Sequence, residues 1–277
     1  MNETLINGVP AASLPITDRA IHYGDGLFET LALRRGRIEF WEEHMERLSR
    51  GCKAMGFPAP DLAVLADEAA RLKEGTEEGI LKIILSRGSG SRGYRPPEHP
   101  IPCRILALYP WPDWPDGYAT QGIEARVCTT PLGCNPRLAR IKHLNRLEQV
   151  LARNEWQDPA IAEGVMLDDG GRLVEGTMSN LFLVQDERLL TPDLSRCGVA
   201  GIMRQKVMES AQRLGIDCDV VPLGLRDLEN AEAAFFTNSL IGIWPIRRIE
   251  GKEFTVPQEM ISKIQMDIEH IRSSCSS

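Results

Sequence analysis

The stretch NPRLARIKHLNRLEQ, residues 135–149, carries a lysine where a loop is expected to become a helix. Apolar residues within 144–151 repeat at helical spacing, which predicts a helix of about three turns that begins just after Lys142. The positive end of that helix, together with Arg140 and Arg146, would lower the pKa of Lys142 and favour its neutral, nucleophilic amine. Most lysines at such places are solvated surface residues, so the lysine alone assigns no reaction.

A second informative stretch, GRLVEGTMSNLFLV at 171–184, contains a glutamate at the end of a predicted strand. The turn that follows Glu175 consists of small polar residues that offer compact hydrogen-bonding groups, Asn180 among them. A carboxylate in this position can face a protonated ring nitrogen, although an exposed turn glutamate is the commoner case.

Three further places could bind an anionic group. GVAGIMR at 198–204 puts glycines directly before a predicted helix, so the N–H groups of Ile202 and Met203 are first-turn donors suited to phosphate. Ser239 follows a predicted strand and could add a hydroxyl, although by itself its segment is merely a turn. Arg47 lies on the flank of a predicted helix, off its apolar stripe, where an arginine is more often solvated.

Apolar periodicity predicts strands and helices on both sides of a proline-rich segment. PWPDWPDG at 110–117 cannot continue a helix or a central strand, so we expect a smaller N-terminal α/β domain at 1–110, a linker at 111–117 and a larger domain at 118–277. In the first domain the pattern predicts strands at 28–33, 37–41, 80–85 and 105–109, and helices from Trp41 and at 61–73 with Asp61 as N-cap. In the second it predicts strands at 123–128, 165–167, 181–184 and 233–236, and helices at 144–151, 203–214 and 260–271.

The composition argues against several classes of protein. A formal net charge of −7 makes nucleic acid a poor partner. No apolar run approaches the roughly 20 residues that span a bilayer, and the N-terminal segment lacks the features of a signal peptide, so we expect a cytoplasmic protein without a membrane partner. Seven cysteines without C-x-x-C spacing, and the lack of an H-E-x-x-H motif, predict neither a disulfide framework nor a bound metal.

The glycines of GSGSRG, residues 88–93, match G-x-G-x-x-G after a predicted strand. A dinucleotide-binding turn must open a helix, and Pro96 and Pro97 forbid one here, so a nicotinamide-dependent enzyme is disfavoured. A flexible glycine loop is the plainer interpretation, and its arginines, Arg87 and Arg92, would suit a loop near a carboxylated substrate.

Six segments, in order between about Leu5 and Trp244, resemble the class IV aminotransferases, the fold type IV group of pyridoxal-phosphate enzymes. They are DRAIHYGDGLFET at 18–30, HMERL at 44–48, IKHLNRL at 141–147, VEGTMSNLF at 174–182, GVAGIMR at 198–204 and TNSL at 237–240. The resemblance implies an α+β (mixed α/β) chain with the two-domain branched-chain aminotransferase-like fold, which D-amino acid aminotransferases share. It also implies a homodimer.

By this resemblance the cofactor is pyridoxal 5′-phosphate, bound by the larger domain. Lys142 is then the residue that bonds covalently to the cofactor aldehyde, and Glu175 is the acid on its pyridine nitrogen. The other positions that match cofactor-binding residues of the family are Arg47, Asn180, Ile202, Met203 and Ser239.

Within the family, SRGSGSRGY at 86–94 and the segment 132–153 resemble the lyase members, which convert 4-amino-4-deoxychorismate to 4-aminobenzoate and pyruvate for folate biosynthesis. The substrate is a small dicarboxylate, for which Arg92 is a candidate ligand, while Thr30 is a candidate proton donor to the leaving group. D-amino acid aminotransferases share K-x-L-N, so an aminotransferase acting on branched-chain or D-amino acids is the nearest alternative. A non-catalytic acidic binding protein is the alternative from a different class.

Overall fold

The computed structural model describes residues 4–274, which separate into two compact units. The first unit holds the chain up to Pro112 together with Ile141–Asn145, and the second holds Asp113–Arg140 and the chain from Arg146 onward. The segment that carries Lys142 therefore groups with the first unit, although its neighbours along the chain on both sides belong to the second. The two domains expected at 1–110 and 118–277, with a linker at 111–117, stay a prediction.

The first unit is built on an antiparallel sheet with the strand order β2-β1-β6-β5-β3-β4 in the described chain. Its strands are β1 Thr4–Ile6, β2 Val9–Pro10, β3 Gly26–Arg34, β4 Arg37–Ile38, β5 Glu78–Ser86 and β6 Cys103–Tyr109. Its helices are α1 Arg19–Tyr23, α2 Trp41–Met55 and α3 Leu62–Lys73. The central strands β5 and β3 carry the candidate site residues of this unit.

Side chains of β3 alternate between the two faces of this sheet, as the period of a strand requires. Leu27 and Leu31 belong to one buried cluster with Met45 and Leu48 of α2, so one face of β3 packs against that helix. The apolar stripe predicted for α2 is thereby confirmed. So is the predicted cap of α3, since the side chain of Asp61 accepts a hydrogen bond from the N–H of the helix's second residue.

The second unit contains a mixed sheet in the order β12-β11-β10-β13-β14-β7-β8-β9, with β15 paired to β14, among the residues described. Its strands are β7 Ile123–Val127, β8 Ile161–Leu167, β9 Leu173–Gly176, β10 Asn180–Gln185, β11 Arg188–Pro192, β12 Cys218–Val221, β13 Ala233–Asn238, β14 Gly242–Ile249 and β15 Lys252–Glu253. Its helices are α4 Tyr118–Gln121, α5 Leu147–Arg153, α6 Ile202–Leu214, α7 Leu225–Asn230 and α8 Gln258–Ser274. The mixture of helices and sheets confirms the predicted fold class.

Buried aromatic side chains join β10 and β13 in the core of this second unit. Phe182 and Phe235 are fully buried and stack with their ring centroids 5.0 Å apart. Helix α6 packs against β13 and α8, and it ends at Gly215, which adopts a φ of 70° as predicted for a C-terminal cap. The starts of β10 and α6, and the end of β13, carry candidate site residues of this unit.

Two predicted elements are wrong in extent. The helix expected at 144–151 begins later, as α5, because the residues around Lys142 pair with β3 instead. The strand expected at 37–41 stops at the end of β4, because Phe40 adopts a left-handed φ of 52° and α2 follows immediately. In both cases tertiary contacts override a local apolar pattern.

Residues 87–102 contain no helix, which confirms that the glycine motif there is not a dinucleotide-binding turn. Within residues 4–274, no helix combines the length and the apolar character that crossing a bilayer requires.

Candidate active site

The lysine-bearing segment pairs with β3 through an isolated β-bridge between Leu27 and His143. Phe28 N donates to Lys142 O at 3.0 Å, and Leu144 N donates to Gly26 O at 3.0 Å. The side chain of Asn145 continues this docking, because its Nδ2 donates to Gly24 O at 3.1 Å. Lys142 is therefore positioned by β3, and the predicted helix start directly after Lys142 is wrong, because α5 begins at Leu147.

Gly26 makes this docking possible because it has no side chain. A Cβ atom there would lie 2.5 Å from Leu85 O and 2.8 Å from Leu144 Cδ1, both far inside van der Waals contact. The glycine of the GDGLFET segment is thus required by the close approach of the lysine segment to β3.

One face of β3 brings together Lys142, Thr30 and a second lysine. Lys142 Nζ lies 4.3 Å from the centroid of the Phe28 ring, and Thr30 is on the same face because it is two residues further along the strand. Lys82 is the cross-strand partner of Thr30, and its Nζ lies 5.7 Å from the Phe28 ring. In the described chain, Lys82 is half-buried and forms no ion pair.

Sequence reasoning missed Lys82. The available signal was its place within GILKIILS, where a charged residue interrupts an apolar strand. A lysine in such a position must face either solvent or an anion.

The opposite face of β3 carries a buried charge cluster around Glu29. Arg47 Nε donates to Glu29 Oε1 at 2.9 Å, Arg47 Nη2 donates to Glu29 Oε2, and His44 Nδ1 lies 2.7 Å from the same oxygen. Burial alone would raise the pKa of Glu29, but Arg47 and His44 outweigh it and lower the pKa to about 2. Burial lowers the pKa of His44, and the charges of Arg47 and Lys142 act in the same direction.

Arg47 is therefore a buried residue with 7% exposure, and not the solvated helix residue that its position off the stripe favoured. Its contact with phosphate stays a prediction.

In the second unit, Glu175 is a fixed, buried carboxylate near the end of β9. It is 4% exposed, and its Oε2 accepts from Val199 N at 2.7 Å and from Asn180 Nδ2 at 3.5 Å. Burial lowers the pKa of Arg146, although the nearby charge of Glu175 opposes that shift. These contacts give Glu175 a defined orientation. An acid that faces one atom of a cofactor ring needs such an orientation.

Asn180 connects Glu175 to the start of α6. Its Nδ2 donates to Val199 O at 2.8 Å, and its Oδ1 accepts from Gly201 N at 3.1 Å. A Cβ atom at Gly201 would lie 2.0 Å from Asn180 Oδ1, so only glycine fits at this junction. Asn180 also pairs with Thr237 across β10 and β13, which brings the turn after β13 to the same place.

The start of α6 can hold an anion. The first N–H that donates within the helix is that of Gln205, to Gly201 O at 3.1 Å, and no side chain of the described residues caps the helix. The N–H groups of Ile202 and Met203 precede it, and first-turn donors of this kind suit a phosphate oxygen.

The turn that carries Ser239 is ordered by its neighbour Asn238. Oδ1 of Asn238 accepts from Leu240 N at 2.8 Å and from Ile241 N at 2.9 Å, while its Nδ2 donates to Met178 O at 3.1 Å. This turn, Glu175 and the α6 start therefore form one cluster around Asn180. The Glu175 carboxylate can accept a hydrogen bond from a ring nitrogen, and the N–H groups at the α6 start can donate to a phosphate. This cluster therefore fits pyridoxal phosphate.

Glu163 is a structural residue of this cluster that sequence reasoning missed. It is fully buried, and its carboxylate accepts from Thr177 N at 2.9 Å, Met178 N at 3.2 Å and Ser179 Oγ at 2.9 Å. Burial raises the pKa of Glu163, although these hydrogen bonds oppose that shift. The carboxylate holds the turn between Glu175 and Asn180 in shape.

Arg92 is exposed in the glycine loop of the first unit. The loop itself is tied down, because Arg19 donates to Gly93 O and Tyr94 O at 3.1 Å each, and Gly93 N donates to the Tyr23 hydroxyl at 3.0 Å. The role of Arg92 in binding a substrate stays a prediction.

The sequence and the fold were compared with known proteins. Residues 26–249 match the family model described as amino-transferase class IV. The chain is 38% identical to an aminodeoxychorismate lyase of Vibrio harveyi, with 90% of this chain and 92% of the relative covered.

Two solved structures extend this likeness to the fold. The crystal structure of 4-amino-4-deoxychorismate lyase from Pseudomonas aeruginosa superimposes with a TM-score of 0.92 at 43% identity, covering 96% of this chain and 98% of that one. The branched-chain amino acid aminotransferase from Escherichia coli superimposes with a TM-score of 0.85 at 25% identity, covering 98% and 94%. The predicted branched-chain aminotransferase-like fold is confirmed.

Proposed function

The chain belongs to the amino-transferase class IV family, and we propose that it is a pyridoxal-phosphate-dependent lyase that converts 4-amino-4-deoxychorismate to 4-aminobenzoate and pyruvate. The observation that carries this function is the likeness to lyases, at 38% and 43% identity over at least nine-tenths of the chain. The branched-chain aminotransferase shares the fold at 25% identity. The reaction provides 4-aminobenzoate for folate synthesis.

Bound pyridoxal phosphate supplies a cationic ring that withdraws electrons from the carbon next to the substrate amine. In our proposal, Lys142 Nζ holds the cofactor aldehyde and takes the proton from the amine-bearing ring carbon. Glu175 keeps a proton on the pyridine nitrogen, which its burial and its hydrogen bond from Val199 support. The N–H groups of Ile202 and Met203, with Ser239 and Arg47, bind the phosphate, while Asn180 fixes the segments that present them.

Thr30 and Lys82 complete the proposed reaction on the face of β3 that carries Lys142. Thr30 Oγ1 donates a proton to the enolpyruvyl group as it leaves, and formation of the aromatic ring favours this cleavage. Lys82 binds a substrate carboxylate, a role supported by its half-buried amine and by its place opposite Thr30. Arg92 is the second candidate for that contact.

The nearest alternative, an aminotransferase, predicts a different requirement. The purified holoenzyme is incubated with 4-amino-4-deoxychorismate and no keto acid, and 4-aminobenzoate is measured by its fluorescence. A lyase forms the product at the full rate, and Lys142→Ala forms none. Strict dependence on added 2-oxoglutarate would instead assign the chain to the aminotransferases.

We also propose a homodimer in the cytoplasm. Helix α5 exposes the apolar side chains of Leu147, Val150 and Leu151 at 69%, 59% and 52%, which is the kind of surface that a second subunit covers. Six described cysteines are free thiols, as is usual in a reducing compartment. Light scattering on the native protein should give the mass of a dimer, and the double variant Leu147→Glu with Val150→Glu should give that of a monomer.

A further inference from the structure

Cys134 and Cys197 form a pair of thiols that the proposed reaction does not use. Both are free, Cys134 is half-buried and Cys197 is buried at 8% exposure. Both side chains belong to one apolar cluster, in which Cys134 is near enough to contribute to the raised pKa of the Cys197 thiol. Next to them, Asn135 N donates to Arg196 O at 2.9 Å, so the backbone is already joined directly beside both cysteines.

Charged side chains form hydrogen bonds with the sulfur of Cys134. Arg196 donates to Cys134 Sγ from Nε at 3.4 Å and from Nη2 at 3.3 Å, while the thiol donates to Asp169 Oδ1 at 3.0 Å and to Asp168 Oδ2 at 3.7 Å. A guanidinium beside a sulfur stabilises negative charge that develops on it, and an acceptor carboxylate can receive its proton. Because Arg196 also pairs with both carboxylates, the cluster is better suited to thiol chemistry than to binding a cation.

We propose that Cys134 and Cys197 are a thiol oxidation site, at which a hydroperoxide converts the pair to a disulfide. Cys134 Sγ attacks one peroxide oxygen, so an S–O bond forms, the O–O bond breaks and the thiol proton leaves with the other oxygen as water. Cys197 Sγ then attacks Cys134 Sγ, so an S–S bond forms and the S–O bond breaks with release of a second water. Two thiols thereby supply the two electrons that reduce one hydrogen peroxide to two waters.

The order of the two steps follows from the surroundings of each sulfur. Burial, with a smaller contribution from Cys134, raises the pKa of the Cys197 thiol to about 12, so Cys197 stays protonated and is not the thiol that attacks the peroxide first. Cys134 has the exposure and the flanking arginine that a first attack requires.

The cross-link should loosen the cofactor, a consequence that rests on the proposed role of Glu175. Residues 197–201 lead from Cys197 to the start of α6, and within them Val199 N donates to Glu175 Oε2 and Gly201 N donates to Asn180 Oδ1. A disulfide needs its sulfur atoms about 2.05 Å apart, closer than two unbonded thiols can approach, so closure pulls this segment toward Cys134. Loss of one hydrogen bond to a charged group corresponds to about a tenfold weaker grip on the cofactor.

The test treats the holoenzyme with stoichiometric hydrogen peroxide and maps it with trypsin under non-reducing conditions. We expect a cross-linked pair of peptides, 127–137 and 197–204, in which fragmentation identifies Cys134 and not Cys128 as the bonded residue. Cys134→Ser should abolish the cross-link. Cys197→Ser should leave Cys134 as a sulfenic acid that dimedone traps, and Cys218→Ser, a control at another half-buried cysteine, should cross-link normally. Absence of this cross-link in the native protein, or equally rapid formation of another one, overturns the oxidation site.

A second readout on the same samples tests the link to the cofactor. Release of pyridoxal phosphate after gel filtration should be about tenfold faster from the oxidised protein and unchanged by peroxide in Cys134→Ser. Equal release from cross-linked and reduced protein contradicts the coupling. If the protein carried no pyridoxal phosphate at all, the proposed function would fail while the cross-link remained readable by mass, so the two failures are distinguishable.

Discussion

The backbone N–H of Phe28 donates to the carbonyl oxygen of Lys142 at 3.0 Å, so the lysine is held by the strand whose face also carries Thr30. This single bond, with its neighbour between Leu144 and Gly26, decides where the amine can act. It also explains why residues 141–145 group with the first unit rather than with the helix that follows them.

The variant Gly26→Val should release the lysine segment from β3. The Cβ of the new valine would collide with Leu85 O and Leu144 Cδ1, so the lysine segment has to move and Lys142 loses its position. We expect less than a tenth of the native content of bound pyridoxal phosphate, measured by absorbance after gel filtration, because misplacement by about 1 Å can cost 10²-fold. The control Gly224→Ala places a Cβ no closer than 3.9 Å to Asp227 and should bind normally. Native cofactor content in Gly26→Val would contradict this role of the glycine.

Replacing Asn180 should weaken cofactor binding without unfolding the protein. Asn180→Ala loses the bonds to Val199 O and Gly201 N, so both Glu175 and the start of α6 become less fixed. Two buried hydrogen bonds correspond to about 2–3 kcal/mol, or a 30- to 150-fold rise in the Kd for pyridoxal phosphate, measured by fluorescence titration. Asn230→Ala, at the exposed end of α7, serves as control. An unchanged Kd in Asn180→Ala would show that Asn180 does not support cofactor binding.

Acid should destabilise the protein through Glu29. The pKa of this carboxyl is lowered from an ordinary 4.5 to about 2, so the stability it contributes is complete above about pH 4.5 and is lost as the pH falls through 2. Glu29→Gln removes the carboxylate charge that pairs with the buried Arg47 and should lower the free energy of unfolding by about 3–5 kcal/mol at pH 7. Urea denaturation at several pH values measures both effects.

The matched control for that variant is Glu46→Gln. Glu46 is 68% exposed and its ion pair with Arg50 is a surface contact, so the free energy of unfolding should change by less than about 1 kcal/mol. If the free energy of unfolding of Glu29→Gln falls with acid between pH 4.5 and 2 as steeply as that of the native protein, another group is responsible.

Lys82 should matter more than Arg92 for binding the substrate carboxylate. Lys82→Met removes the half-buried amine opposite Thr30 and should raise KM about 10- to 100-fold with a smaller change in kcat, as loss of a charge-assisted contact predicts. Lys82→Arg should recover part of the loss, and Arg92→Ala should change KM little because Arg92 is exposed. Steady-state kinetics of 4-aminobenzoate release decide this, and the reverse ranking would favour the original assignment to Arg92.

Elements with a strong apolar period could be predicted from the sequence. The stripe of α2, the Asp61 cap of α3 and the Gly215 end of α6 lie where the pattern puts them, because local preference and tertiary packing agree at those positions. The helix expected just after Lys142 was wrong for the opposite reason. Leu144 supports a local helical period, but its N–H bonds to Gly26 O, and the apolar side chains of α5 are exposed instead of packed.

The sequence identified candidate site residues but did not predict how they are arranged in space. Glu175, Asn180, Ile202 and Ser239 were chosen by resemblance, and the structure adds that Asn180 ties the other three to one cluster. Glu163 and Lys82 carry no motif, since one is a buried support and the other a charge within an apolar strand. Such roles depend on partners distant in the sequence, which a local pattern does not contain.

The most direct test of the central claim is to identify the amine that holds the cofactor. Reduction of the holoenzyme with borohydride fixes pyridoxyl on that amine, and trypsin then no longer cleaves after the modified lysine. We expect the tag in the peptide 141–146, on Lys142, at one group per chain. A tag on Lys82 or on any other lysine, or a protein that takes up no tag, would contradict it.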